Sequence, residues 1–410
     1  MRNVNRIRLA PVFLLGSSPD LEAEDRAGLE REAESILEGF DLSWTTKALI
    51  EREEDLLGLD AEGVDAFVLF PYNSGRFTNL IGLADLGRPV YVYGEGRAFP
   101  NALDTYEYLA DHGNVRLSLD GEVLQREVRA VEAAEWVRSA KICLFDKGEW
   151  DLEKAAYLKN PAVNGMMNVQ RVDEARLMEL FEGVDAAEAE VLARSWMAEA
   201  KVREPSLEDV ARSARVYLAM RAAVEEMGAE AAYVLWCGQF TRQLGTKMCF
   251  ALAKLGDDGL PVGCWRGENL LPLLILRAAS DKPVFVCEAH AREGRSASFR
   301  HCFAPGAIAS YRYVLRPWRD MEATVTGYCQ LPNGEVTLVN SGIGDTIVVA
   351  RGMLRDCSDL GGENCRITVW VDFEDDSPIR SLRGRECAIV YGDYAEEARL
   401  ISERLGLKVL

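Results

Sequence analysis

Histidine is scarce in this chain: His112, His290 and His301 are the whole supply in 410 residues. A zinc site built mainly from imidazoles is therefore excluded, and a serine–histidine hydrolase would have to use one of those three. No Gly-x-Ser-x-Gly elbow supports the second option. Phosphate-binding loops are also missing. Gly-x-x-x-x-Gly-Lys-Ser/Thr does not occur, and no Gly-x-Gly-x-x-Gly follows a strand; Gly342-Ile343-Gly344 sits among strands and reads as a turn. Positive charge is in deficit, with 47 Lys and Arg against 66 Asp and Glu and a formal net charge of -19. That balance argues against a nucleic-acid partner and against docking on an anionic membrane. No apolar run approaches the roughly 18–20 residues that span a bilayer. The apolar stretch Leu9–Leu15 follows a basic start, but it is short, contains Pro11 and leads to no small-x-small site. It reads as a first strand, not a signal peptide.

None of the ten cysteines forms a Cys-x-x-Cys pair, and most lie in apolar runs such as Val284-Phe285-Val286-Cys287. Reduced, buried thiols of a cytoplasmic protein are expected, not a disulfide framework. Hydrophobic residues at 48% and charged residues at 28% suit a folded, soluble chain, and the length suits two or three domains.

Three stretches differ in pattern. Residues 1–150 alternate strands (7–15, 66–70, 90–93, 140–145) with helices, including an acidic amphipathic helix over 21–39. Ala66–Phe70 is continuously apolar, as strands buried in parallel sheets are. Residues 151–312 continue with helices over about 172–228, then strands at 232–236 and 283–288 and a helix at 270–279. From 313 to 410 alternating runs dominate, and Pro332-Asn333-Gly334 reads as a hairpin turn between 323–328 and 336–339. The expected architecture is two doubly wound, Rossmann-like α/β domains followed by an antiparallel β-rich domain. In such sheets, ligands bind where strands end at their C-terminal edge.

The segment from Gly263 to Pro305 concentrates the chemistry. Glu268 precedes an apolar helix, Glu288 ends an apolar strand, and His301 follows beside Cys302. Two carboxylates and an imidazole within one unit suit an oxygen- and nitrogen-loving divalent ion such as Mn²⁺, or proton transfer. Each has a plainer explanation. Glu268 would be favoured in the first turn of a helix by the dipole, and a lone histidine is usually structural. Glu288 is harder to dismiss, because carboxylates at the end of apolar strands are generally paired or functional. His290 lies two residues beyond Glu288, so an unbroken strand would point both to one side. Arg292, Arg295 and Arg300 read as a solvated basic loop, one of which would suit an anionic substrate group.

These residues resemble a known family. Gly267-Glu268 opening an apolar helix, Lys282-Pro283-Val284-Phe285 running to Glu288, His301-Cys302 followed by Pro305, and Glu386-Cys387-Ala388-Ile389-Val390-Tyr391-Gly392-Asp393 with the helix after it are similar to the L-fucose isomerase and L-arabinose isomerase superfamily, especially its shorter fucose isomerase-like members. The resemblance implies metal-dependent aldose–ketose isomerisation through an ene-diol. Glu268 and Glu288 would be the acid/base pair and metal ligands, and His301 a further ligand or a close neighbour of the site. Where the family places a histidine before its C-terminal strand, this chain has Glu386, which implies an oxygen-rich site or a degraded one. A sugar-binding or regulatory relative, or an epimerase or lyase using the same carboxylates, are the alternatives. Trp265 and Arg266 would contact a modified or acidic sugar, with Trp265 in the core and Arg266 paired to a glutamate as the bland alternative. His290, Tyr72 and Asn73 are further substrate-binding candidates. The family also implies a homo-oligomer, a trimer or hexamer.

Overall fold

The computed structural model describes residues 7–14, 23–42, 49–50, 62–72, 80–148, 168–309, 313–342, 344–361 and 365–410. The chain divides into two compact units, 1–132 and 133–410.

The first unit is built on a parallel sheet. Its strands lie in the order Asp41–Leu42, Arg8–Leu14, Ala66–Pro71, Val90–Tyr93, Val115–Ser118, and Leu49–Ile50 also pairs with Arg8–Leu14. The strands are apolar on both faces because both faces are covered. Val12, Leu14, Leu69 and Val92 pack with Leu80, Ala102 and Leu109 on one side. Phe13, Phe70, Tyr91 and Tyr93 pack with Ala33, Leu37, Leu124 and Val128 on the other. The two sets alternate along each strand, as the period of two requires.

The second unit holds another parallel sheet, ordered Val262–Trp265, Ala231–Leu235, Lys141–Phe145, Asn168–Val172. The sequence pattern makes Lys141–Phe145 the last strand of the first sheet; it pairs instead with Ala231–Leu235 and Asn168–Val172. Its apolar character announces a buried strand but says nothing about which neighbour covers it. The helix Leu207–Met227 beside this sheet begins with a capping box: Asp209 N–H donates to Ser206 Oγ at 3.2 Å, and Ser206 N–H donates to Asp209 Oδ2 at 3.2 Å. Such a cap contributes about 0.5–2 kcal/mol. Gly228, at φ 57°, stops the helix in the left-handed conformation that glycine adopts without penalty.

The C-terminal part is an antiparallel barrel. Around it run Gly334–Ser341, Glu386–Tyr391, Phe285–Glu293, Ser296–His301, Ile367–Asp372 and Thr346–Ser358, and the last pairs back with the first. Phe285, Cys287, Phe299, Leu338, Val369 and Ile389 fill its interior. Closure removes the exposed strand edges that invite aggregation. A small third sheet joins Thr326–Tyr328, Val314–Arg316 and Val202–Arg203.

Two local expectations fail here. Pro332-Asn333-Gly334 does not close a hairpin, because Thr326–Tyr328 pairs with Val314–Arg316 while Gly334–Ser341 belongs to the barrel. Buried Leu331 ties the passage between the two sheets, and that burial outweighs the local turn preference. The strand ending at Glu288, expected in the second α/β layer, lies in the barrel, antiparallel to Glu386–Tyr391 and Ser296–His301. Among the described residues, no helix is long and apolar enough to cross a membrane.

Candidate functional site

The C-terminal edge of the second parallel sheet ends in two strained tryptophans. Ala231–Leu235 and Val262–Trp265 run side by side to the pair Leu235 and Trp265. Trp236 then turns at φ 50°, its N–H donating to the Trp265 carbonyl at 2.9 Å, and Trp265 itself stands at φ 105°. Bulky residues in this region of backbone space cost roughly 1–3 kcal/mol each and concentrate at functional sites.

The turn after Trp265 is held from below. Gly267 N–H donates to the Tyr233 hydroxyl at 3.0 Å, and that hydroxyl donates to Asn269 Oδ1 at 2.7 Å. A side chain at Gly263 would put a Cβ 2.6 Å from the Tyr233 ring, so the position needs glycine. Beneath the turn lies Glu386, 1% exposed. Its Oε1 accepts from Arg266 N–H at 3.2 Å and its Oε2 from Asn269 N–H at 3.1 Å. Burial first, and then the nearby charge of Glu268, raise its pKa to about 8 against the pull of those two donors. The carboxyl therefore keeps its proton to higher pH than an exposed glutamate does.

Between this edge and the barrel mouth is a cavity of about 180 Å³. At ~30 Å³ per water molecule it has room for about six waters, the scale of one small ligand and not of a polymer. Trp236, Trp265 and Trp318 supply aromatic wall. Lys247, Arg300, Arg319 and Arg385 bring positive charge, with Glu288 the one carboxylate among the lining residues described. Lys247 is 7% exposed, and its Nζ lies 4.2 Å from the Trp318 ring centre, with the Arg319 guanidinium 4.6 Å from the same ring. Arg319 also adopts a left-handed backbone, φ 47°. Glu288 Oε2 accepts from Arg385 Nη2 at 2.8 Å. His301 is buried edge-on against Phe303, with its Nε2 3.6 Å from Cys264 Sγ. His301 Nδ1 and Trp265 Nε1 are buried with no hydrogen-bond partner among the described residues. Two orphaned polar atoms bordering one cavity mark it as a place for a ligand or water.

The structure therefore brings Trp265, Glu288 and His301 together in the cavity. Glu386 sits under the adjoining turn. Glu268 is half-buried one residue ahead of the helix cap Asn269. Its carbonyl accepts from Ser341 Oγ at 2.8 Å, and it is not among the lining residues. Arg266 is exposed and meets Glu386 through its backbone N–H, not its guanidinium. His290 does not share a side with Glu288 by simple alternation, because a bulge between Ala289 and Ala291 breaks the register. It is exposed, and residual desolvation followed by the Arg300 charge lowers its pKa. Tyr72 follows strand Ala66–Pro71 of the first unit and stacks on Phe13 at 6.3 Å. Asn73 lies outside the described residues.

A divalent ion needs several converging donors. Among the described residues, no group of three or more His, Cys, Asp or Glu could hold one. Both oxygens of Glu386 accept backbone N–H groups, Glu288 is paired with Arg385, and His301 Nε2 faces a thiol. The donor set of Glu268, Glu288, His301 and Glu386 does not fit a bound metal in this arrangement.

Sequence reading missed Trp236, Lys247, Trp318 and Arg319 as site residues. Only Trp236, at the end of an apolar strand, carried a local signal. The other three come from irregular segments whose position depends on tertiary packing. The chain matches no known family model and no curated protein.

Proposed function

We propose that the second unit carries the active site of a sugar ketol isomerase acting on an anionic aldose or ketose. The observation that carries this reading is the meeting of Glu288 and His301 in one small cavity with three tryptophans and four cationic side chains. Tryptophan faces suit the apolar C–H side of a sugar ring, and cations suit a carboxylate or phosphate substituent. The L-fucose and L-arabinose isomerase resemblance, with its doubly wound α/β domains, cytoplasmic setting and oligomeric assembly, belongs to the same proposal.

Aldose–ketose exchange moves a proton between neighbouring carbons, one of them next to a carbonyl. Such a proton is too weakly acidic to leave unaided at neutral pH. In this reading Glu288 takes the proton from one carbon and returns it to the other, while water in the cavity carries the hydroxyl proton between the two oxygens. The Arg and Lys side chains stabilise negative charge as it develops on the ene-diolate oxygens, and the Trp265 N–H offers a further donor. Glu386 beneath the turn accepts from the Arg266 and Asn269 N–H groups and so holds the turn that carries Trp265 in place.

A second reading is favoured by the Arg385–Glu288 pair, which occupies the proposed base. In it the chain is a sugar-binding or regulatory relative without turnover. One experiment separates the two. The purified chain, with bound metals quantified, is incubated in D₂O with aldoses and ketoses that include acidic and deoxy sugars, with and without chelator. Deuterium at C1 or C2 together with an aldose–ketose change supports the isomerase. Deuterium without that change points to an epimerase or lyase. Sugar binding with no exchange anywhere in the panel sinks the enzyme reading.

A further inference from the structure

The cavity holds more sulfur than isomerisation uses. Cys237, Cys264, Cys302 and Cys365 all line it, although they are scattered along the chain and share no spacing pattern. Cys249 stands behind them, its Sγ 3.9 Å from that of Cys237. The closest pair is Cys302 and Cys365, whose sulfurs lie 3.4 Å apart. Cys302 follows the barrel strand Ser296–His301, and Cys365 precedes its neighbour Ile367–Asp372. A disulfide bond is about 2.0 Å long, so closing this pair needs a movement of about 1.4 Å. Side-chain rotation at two strand ends supplies that more readily than motion inside a packed sheet.

Donors already point at these sulfurs. Trp318 Nε1–H donates to Cys302 Sγ at 3.1 Å, and Arg319 Nη2 donates to Cys365 Sγ at 3.8 Å. A thiolate is the attacking species, and the Trp318 donor makes Cys302 the better placed of the two, while the Cys302 sulfur and burial push the Cys365 thiol up. Exposed Arg319 and Arg385 border the same cavity, which gives a small oxidant a route to the sulfurs from the surface.

The barrel contains its own control. Cys287 and Cys387 are directly opposed on neighbouring strands, but both belong to the sealed core and neither lines the cavity. They have proximity without access.

We propose that Cys302 and Cys365 form a peroxide-reactive dithiol, with Cys302 as the attacking thiol and Cys365 as the resolving one. The Cys302 thiolate attacks one oxygen of a hydroperoxide, the O–O bond breaks, and the other oxygen leaves as an alcohol or water after taking up a proton. Cys302 is then a sulfenic acid. The Cys365 thiol attacks that sulfur, the S–O bond breaks, and the leaving hydroxide takes up the Cys365 proton and departs as water. The peroxide is reduced by two electrons, and the two thiols are oxidised to one disulfide. An external dithiol restores the pair by exchange. This inference does not depend on the sugar reading.

The test uses the full reduced chain treated with hydrogen peroxide, then blocked and mapped without reduction. The expected result is loss of two hydrogens in intact mass and a cross-link joining residues 301–312 to residues 356–366, located by fragmentation at Cys365. Dithiothreitol should reverse both. In Cys365→Ser the cross-link should disappear and Cys302 should accumulate a sulfenic acid trapped by dimedone. Because the first readout needs no substitution, a variant that fails to fold leaves the test intact. A cross-link at Cys287–Cys387 or elsewhere in preference to Cys302–Cys365 overturns the proposal. So does the absence of any cross-link under peroxide that fully oxidises dithiothreitol.

Discussion

The two parallel sheets finish their strands in opposite ways. In the first unit Val90–Tyr93 ends on a buried tyrosine whose hydroxyl donates to Glu95 Oε2 at 2.5 Å. Burial, then that hydrogen bond and the Glu95 charge, push the phenol well above its ordinary acidity range. In the second unit the strand ends are Trp236 and Trp265, both left-handed and both facing a cavity with orphaned polar atoms. Every described non-glycine residue with positive φ lies in the second unit, and three of the five border that cavity. Among the described strand ends, backbone strain falls on the second sheet, and there it coincides with a cavity and orphaned polar atoms. That contrast locates the site more sharply than either fold or motif does.

The largest expected effect tests whether the chemistry belongs to the second edge. Glu288→Gln should slow exchange of the sugar C2 proton by about 10²–10⁴-fold, the usual contribution of a positioned base. Glu95→Gln, at the corresponding edge of the first unit, should leave the rate unchanged. Equal losses from both, read by deuterium uptake, would remove the distinction between the edges.

Next in size is a pH effect tied to Glu386. Its pKa of about 8 in the folded chain lies above the ordinary value of 4.5. The folded chain therefore keeps a proton that the unfolded chain loses. Stability should fall as pH rises from about 4.5 to about 8 and then level off. The total loss should be a few kcal/mol, since each tenfold difference in proton affinity between the two states is worth ~1.4 kcal/mol. Glu386→Gln should flatten that slope while costing some stability at acid pH, because an amide cannot accept from both Arg266 and Asn269 N–H groups. Thermal unfolding of both proteins between pH 5 and 9 checks it, and parallel slopes would refute the assignment.

Strain itself can be weighed by matched truncations. Tyr93→Gly should destabilise by about 3–5 kcal/mol, as loss of a buried aromatic does. Trp265→Gly should cost about 1–3 kcal/mol less than that, since glycine relieves the strained φ. Sugar binding should weaken only in the Trp265 variant. Denaturant titration gives the first comparison, and calorimetry with the best ligand of the sugar panel gives the second.

Much of this was legible in the residues, and the failures share a cause. Apolar runs such as Ala66–Phe70 and Val284–Cys287 declare themselves as buried strands because burial on both faces demands continuous hydrophobicity. They do not declare their partners. Lys141–Phe145 changed sheets, the strand to Glu288 changed layers, and the turn at Asn333 joined two sheets because tertiary burial overrode a local preference. The site followed the same rule. Glu288 and His301 were visible as polar residues closing apolar runs, although only His301 ends its strand and the strand through Glu288 runs on to Glu293. Lys247 and Trp318 meet at 4.2 Å from irregular segments that no spacing connects. The cysteines looked like inert core residues, and for Cys287 and Cys387 the structure agrees, but four others line a cavity.

The smallest predicted effect bears on whether the second edge is poised or blocked. Arg385 is largely exposed and holds Glu288 by one ion pair of 2.8 Å. The Glu288 side chain is only 12% exposed, so the pair is worth more than the ~0–1 kcal/mol of fully exposed pairs, and Arg385→Ala should lower the unfolding midpoint modestly. Its kinetic signature should be clearer. If Arg385 positions the Glu288 carboxylate, Arg385→Ala should slow deuterium exchange into the sugar; if Arg385 acts as a plug, the variant should exchange faster. A loss of rate marks the pair as support for the base, and a gain marks it as a block that substrate must displace.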